Sequence, residues 1–183
     1  MFNQSAVIYR NLFGNVNEQE DFIGNYMIPK RGKNLLLREV IDGNVPVVAG
    51  GVDASGYHNI ANTSAPVITI SASGANAGYV NLWNIPVWSS DSSYIDNTIT
   101  SNIFFWYVTL KIRQKEIYDF QTGSAQPHIY PQHIAELPIM KLKDNDIEKF
   151  ENTVSPIFNR IGQNKQEINV LKQILLVLSS KIS

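Results

Sequence analysis

The sequence predicts an α+β chain, a β-rich domain followed by a long C-terminal helix of the coiled-coil type. Two observations carry that prediction. Up to residue 143, short apolar runs rich in β-branched and aromatic residues are punctuated by glycine, asparagine, serine and proline, the texture of strands and turns. From residue 144 onward, apolar residues step by three and four without a miss, the repeat of a helix that buries one stripe. The chain divides accordingly into residues 1–143, with 1–24 as an unassigned lead-in, and residues 144–183.

Strands are expected over residues 45–48, 67–70, 103–110 and 117–120, each bounded by turn formers. The stretches between them at 50–66 and 71–85 read as long loops, and long loops on a compact scaffold tend to be functional. The helical tail carries Ile147, Phe150, Val154, Ile157, Ile161, Asn164, Ile168, Leu171, Leu175, Leu178 and Ile182 in an unbroken a/d register with one polar member. Asn145 can cap its first amides, with Glu148 completing a capping-box pair. Such a helix would be about 54 Å long. Pro156 should kink it or start a new helix after Ser155, and Gly162 weakens it by about 1 kcal/mol relative to alanine. The stripe either packs back on its own domain or pairs with another long helix. In the second case Asn164 would fix register and strand number.

Composition narrows the function classes. A chain of 183 residues with 44% hydrophobic content is long enough for a real core. The absence of cysteine excludes a disulfide scaffold and any Cys-ligated zinc or iron–sulfur site. A net charge of −1 argues against a polybasic nucleic-acid binder. No apolar run approaches a membrane span, and the N-terminus lacks the basic-then-apolar order of a secretory signal. A soluble, cytoplasmic protein is expected, with no membrane partner.

Catalytic chemistry is not apparent. His58, His128 and His133 do not fall at a metal-ligand spacing on one helix face. There is no His-Glu-x-x-His, no Gly-x-Ser-x-Gly elbow and no phosphate-binding glycine loop. Gly50-Gly51 follows a strand, but no helix signal follows them, as a dinucleotide site would require. The chain reads as non-enzymatic, with no metal and no cofactor.

What remains is a set of polar, small-residue loops at residues 50–59, 71–79 and 124–128. Asn, Gln, His and Ser offer the donors and acceptors that base edges require, and glycine lets a backbone approach a surface closely; ordinary turns share the same composition. Lys30, Arg31, Lys33 and Arg38 place four cations beside one acid, Glu39, in a ten-residue window. Lys111, Arg113 and Lys115 alternate, so a strand would present all three on one face. Either group could follow a phosphate backbone despite the neutral total.

Several blocks in this order resemble one family. They are Pro29-Lys30-Arg31-Gly32-Lys33, Val45-Pro46-Val47-Val48-Ala49-Gly50-Gly51, Ser55-Gly56-Tyr57-His58-Asn59 and Ile68-Thr69-Ile70-Ser71-Ala72-Ser73-Gly74-Ala75-Asn76-Ala77-Gly78. Trp88-Ser89-Ser90-Asp91-Ser92-Ser93-Tyr94-Ile95 and Gly123-Ser124-Ala125-Gln126-Pro127-His128-Ile129 continue the series. Over residues 25–183 the chain resembles the specificity subunit of type I restriction–modification systems, with one target recognition domain and one helical conserved region. It departs from the family near its end, where Leu175-Leu176 stand for an Arg-Asp pair and Ser180 for a proline, which makes that contact greasier.

The resemblance implies a reader of double-stranded DNA without catalysis of its own. Such subunits dock an adenine-methylating modification subunit, which carries the cofactor, and a restriction subunit. Full-length members carry two recognition domains and two helical regions, so this chain resembles half a subunit, and a homodimer would read an inverted repeat. The implied DNA contacts are Lys30, Arg31 and Lys33 on phosphates, Ser55, Tyr57, His58 and Ser73 beside them, and Asn76, Gln126 and His128 as base-edge readers. The implied partner stripe is Ile157, Ile161, Asn164, Ile168, Leu171, Leu175 and Leu178. Trp83 and Trp88 read as core or wall. Two rival readings remain: a coiled-coil scaffold whose β domain binds protein or carbohydrate, and the specificity component of another DNA-methylating defence system.

Overall fold

A computed structural model describes residues 2–14, 20–123 and 125–180. In chain order its elements are α1 (Phe2–Phe13), β1 (Asp21–Phe22), β2 (Lys30–Arg31), β3 (Val45–Val48), β4 (Gly56–His58), β5 (Val67–Ser71), β6 (Val80–Trp83), β7 (Trp88–Ser89), β8 (Ser92–Ile95), α2 (Ile103–Ile112), α3 (Gln114–Asp119), α4 (Pro131–Ala135), β9 (Pro138–Ile139) and α5 (Asp144–Ser180). The expected α+β class is observed, and the long C-terminal helix begins at Asp144.

Strand β5 is buried on both faces, and its alternating side chains serve two cores. Ile68 and Ile70 enter the larger core, while Val67 enters a smaller one with Val48 and Val87. Antiparallel neighbours extend this sheet in the order β2–β8–β5–β6. A second sheet, β4–β3–β7, holds β3 antiparallel to β4 and parallel to β7. Val48 of β3 and Val67 of β5 share the smaller core, so that core lies between the two sheets. A short β1–β9 pair ties the start of the domain to the segment before α5.

The opposite face of the four-stranded sheet is covered by helices. Tyr9 and Phe13 of α1, Phe105 of α2 and Phe150 of α5 form an aromatic cluster, with ring centroids 4.9 Å (Tyr9–Phe13), 5.2 Å (Phe13–Phe105) and 5.9 Å (Phe105–Phe150) apart. Residues Phe2–Phe13 of the lead-in therefore form a structural helix, its Tyr9 wholly buried.

The runs at 103–110 and 117–120 are helical, in α2 and α3, not strands. Seven of the ten residues of α2 are buried, and a helix buried all round has no polar face, so its sequence imitates a buried strand. The alternation of Lys111, Arg113 and Lys115 consequently has no meaning as a strand face. Lys111 Nζ turns inward to the Val80 carbonyl at 2.7 Å and lies 4.0 Å from the Tyr79 ring centre. Arg113 is buried against Glu116, with an Nη2–Oε1 distance of 2.6 Å.

The free amides at the start of α2 are capped from another helix. Glu151 of α5 accepts from Phe104 N at 3.2 Å and Phe105 N at 2.7 Å, which places an acid where helix amides and dipole favour one. Burial nonetheless pushes the Glu151 carboxyl above its usual value of 4.5, against the pull of the two amides. A carboxyl raised in the folded state contributes most stability below its ordinary value and loses it as pH rises through the raised one. Glu151→Ala should cost about 1–3 kcal/mol by leaving buried amides unpaired. In urea titrations across that pH window, the gap between wild type and variant should narrow as pH rises.

Helix α5 has two halves of different character. Ile147, Phe150, Val154, Phe158 and Gly162 are its buried residues, and successive steps of four carry this face off the heptad line. Phe158, not Ile157, takes the buried place, stacking on Phe104 with centroids 5.0 Å apart. Ile161, expected in the partner stripe, packs instead against the domain's own core. A Cβ on Gly162 would stand 2.5 Å from Asn84 Cβ, so glycine is what lets the helix close onto the domain there. From residue 165 to 180 every residue is exposed. The helix runs unbroken through the exposed Pro156. Its first turn is closed by Asp146 N and Ile147 N on the Lys143 carbonyl at 3.0 and 3.1 Å, so Asn145 lies inside the turn and not at the cap. Ile182 lies outside the described residues.

Candidate nucleic-acid interface

The two ends of β8 organise the cations of β2. Arg31 Nη2 meets Asp91 Oδ1 at 2.6 Å, and the Ser73 hydroxyl donates to the other oxygen of the same carboxylate. At the far end, Thr98 Oγ1 donates to Asp96 Oδ1 at 2.7 Å and accepts from Lys30 Nζ at 3.2 Å. Burial would raise the Asp96 carboxyl, but hydrogen bonds from Ser64 and Thr98 outweigh it and hold the group below 3.8. Both cations are thus aimed by carboxylates, and an exposed pair such as Arg31–Asp91 contributes at most about 1 kcal/mol to stability.

The loops converge on the same place. Ser73 and His128 form an antiparallel bridge, reinforced by Gly74 N to the Pro127 carbonyl at 3.0 Å and Ile129 N to the Ala72 carbonyl at 2.9 Å. Gly50 passes so close that a Cβ there would stand 2.5 Å from the Ser73 carbonyl oxygen. Ser71 Oγ fixes the neighbouring Gly51 carbonyl at 2.8 Å. Arg31, Ser73, His128 and the Gly50-Gly51 turn are therefore assembled near Asp91, an acid within the Trp88–Ile95 block that the sequence alone does not single out as a contact. Gln126 is exposed beside His128, and Asn76 is half-buried in the turn after Ser73. The remaining 124–128 residue, Ser124, lies outside the described residues. Lys33 is exposed, its carbonyl accepting from Trp88 Nε1 at 2.8 Å.

Three expected positions are placed elsewhere or differently. His58 is 3% exposed, accepts from Ile41 N at 3.1 Å through Nδ1 and meets Trp88 edge-on. It is a structural histidine and not the expected DNA contact: a polar side chain in a strand pattern carries no mark of the amide that will occupy it. Ser55 is exposed, but its hydroxyl is committed to the Val47 carbonyl at 3.1 Å. Tyr57 lines a groove of about 1040 Å³ between the domain and α5, opposite Lys165, Asn169 and Lys172. Trp88 is buried and Trp83 donates to Thr69 Oγ1 at 2.9 Å, so both serve as wall. Among the described residues, no cluster of three or more His, Asp and Glu could hold a metal ion, and no helix is long and apolar enough to cross a membrane.

Two small sheets faced by helices, followed by a helix that leaves the domain, define a fold seen in specificity subunits. The chain is similar to the S subunit of a type I restriction–modification system from M. genitalium, with a TM-score of 0.67 and 22% identity over 87% of this chain and 44% of that one. It is also similar to the HsdS subunit from Thermoanaerobacter tengcongensis, at TM-score 0.55 and 10% identity over 90% of this chain and 45% of that one. A third likeness, to a chain from a structure concerning assembly and conformational transition of the type I R-M system, has TM-score 0.52 and 11% identity over 94% and 50%. The chain spans about half the length of each. No protein-family model and no curated protein matches the sequence.

Proposed function

We propose that this chain is a non-catalytic DNA-specificity module of a type I restriction–modification complex, acting in the cytoplasm. It reads one half of a split target and docks modification and restriction subunits. The observation that carries the reading is the likeness to S subunits over 87% of this chain but 44% of the other, joined to an apolar helical stripe left open for a partner. Ile168, Leu171, Leu175 and Leu178 are 50%, 58%, 66% and 53% exposed. A second copy pairs along this stripe, and two-fold symmetry makes the target an inverted repeat.

Methylome sequencing of cells with and without the chain tests the function directly: an adenine-methylated bipartite motif should vanish on deletion. Unchanged methylation together with failure of the chain to shift any duplex would refute the reading and leave the scaffold class. Lys30, Arg31 and Lys33 hold phosphates. Replacing all three with alanine should weaken binding to every sequence and reduce the slope of log K against log salt by up to about 2.7, at roughly 0.9 per phosphate contact. An unchanged slope in gel shifts at several salt concentrations removes the segment from the interface.

A further inference from the structure

Leu37 stands 94% exposed, more than any other large apolar side chain among the described residues. It is not on a loose loop. The short 3₁₀ turn Leu37–Glu39 is closed by Glu39 N on the Leu36 carbonyl at 2.8 Å, and Glu39 Oε2 folds back to accept from Leu36 N at 3.1 Å. Both flanks are tied down, Leu35 N to Ser90 Oγ at 3.2 Å and Ile41 N to His58 Nδ1 at 3.1 Å. The fold thus holds an apolar side chain out in water, where none of the described residues covers it. The first tie is to the residue preceding Asp91, so the turn rises beside the Arg31–Ser73–His128 cluster.

The surroundings state what would cover it. Lys33 and Arg38 flank the turn and have no ion pair among the described residues, and the one acid within the turn is engaged with its own backbone. An apolar tip with such cations on either side of it in the chain suits a duplex, whose stacked bases accept an apolar wedge while its phosphates accept the cations. We infer that Leu37 is a wedge that enters the base stack at the edge of the half-site and unstacks one step. The inference rests on the DNA-reading function proposed above and adds a mode of discrimination. A wedge favours steps that open cheaply, so sequence is read there through deformability, without a hydrogen bond to a base.

Permanganate oxidation of unstacked thymines tests this and requires no defined target sequence. Duplexes are selected from a randomised pool by the full chain and probed while bound. The wild-type chain should create a reactive step. Leu37→Ser should abolish it and lower the preference for selected over random duplex by about tenfold, with melting temperature and salt slope unchanged because the side chain is exposed. Leu37→Met should retain reactivity. Reactivity that persists in Leu37→Ser, or wild-type binding with no reactive step, overturns the wedge and leaves DNA reading intact. A wild-type chain that binds no duplex overturns the wedge and, joined to unchanged methylation, the DNA-reading function as well. Loss of a protein partner, but not of DNA binding, in Leu37→Ser would assign the turn to a protein contact and overturn the wedge.

Discussion

Replacing Leu171, Leu175 and Leu178 together with serine should leave the domain folded and abolish self-association. Burying a leucine fully contributes about 1.5–3 kcal/mol, and about half of that remains to be gained by side chains already half-covered on their own helix. Each substitution acts twice in a two-fold dimer, so the three remove about 4.5–9 kcal/mol. A dimer of micromolar affinity rests on about 8 kcal/mol, so the variant should sediment as a monomer at tens of micromolar protein, where the proposed pairing predicts a dimeric wild type. Because no buried residue of the domain lies beyond Gly162 on α5, its thermal transition at low protein concentration should match that of the wild type. A wild-type chain that is itself monomeric under those conditions would refute pairing between copies.

Phe105→Ala should bring the domain close to unfolding. Phe105 is wholly buried and lies 5.8, 5.2, 5.0 and 5.9 Å from the rings of Tyr9, Phe13, Trp106 and Phe150. Truncations of this kind cost about 3–5 kcal/mol through lost burial and the cavity left behind, against a total of about 5–15 kcal/mol for a domain. Three helices lose contacts at once, and none can move in to fill the space without giving up packing elsewhere. Urea denaturation followed by tryptophan fluorescence should show a midpoint lowered by at least about a fifth, with far less change for a substitution at the exposed Tyr57.

The strands at 45–48 and 67–70 were legible because β-branched runs between turn formers have few other readings. So was the start of the long helix near residue 144, where the apolar period changes. The α2 segment was not legible: its aromatic run is buried on nearly every side, and the acid that caps its first amides, Glu151, comes from far along the chain. The lead-in was illegible for a related reason, since Tyr9 and Phe13 acquire meaning only beside Phe105 and Phe150. At the candidate interface, sequence pointed to Arg31, Ser73 and His128 separately, and only folding brings Arg31 and Ser73 onto Asp91 and His128 beside Ser73. His58 shows the converse. Its motif marked it as special, and what is special is the Ile41 amide it receives in the core.

The division of α5 at Gly162 has a thermodynamic meaning of its own. Residues before that point sit in the domain's core, so their substitutions shift a unimolecular equilibrium whose midpoint is indifferent to dilution. On the proposed pairing, residues beyond it would shift a bimolecular one, whose effect scales with the logarithm of partner concentration. One continuous helix would then answer to two standard states, and the abundance of the partner in the cell would decide which of its mutations are felt.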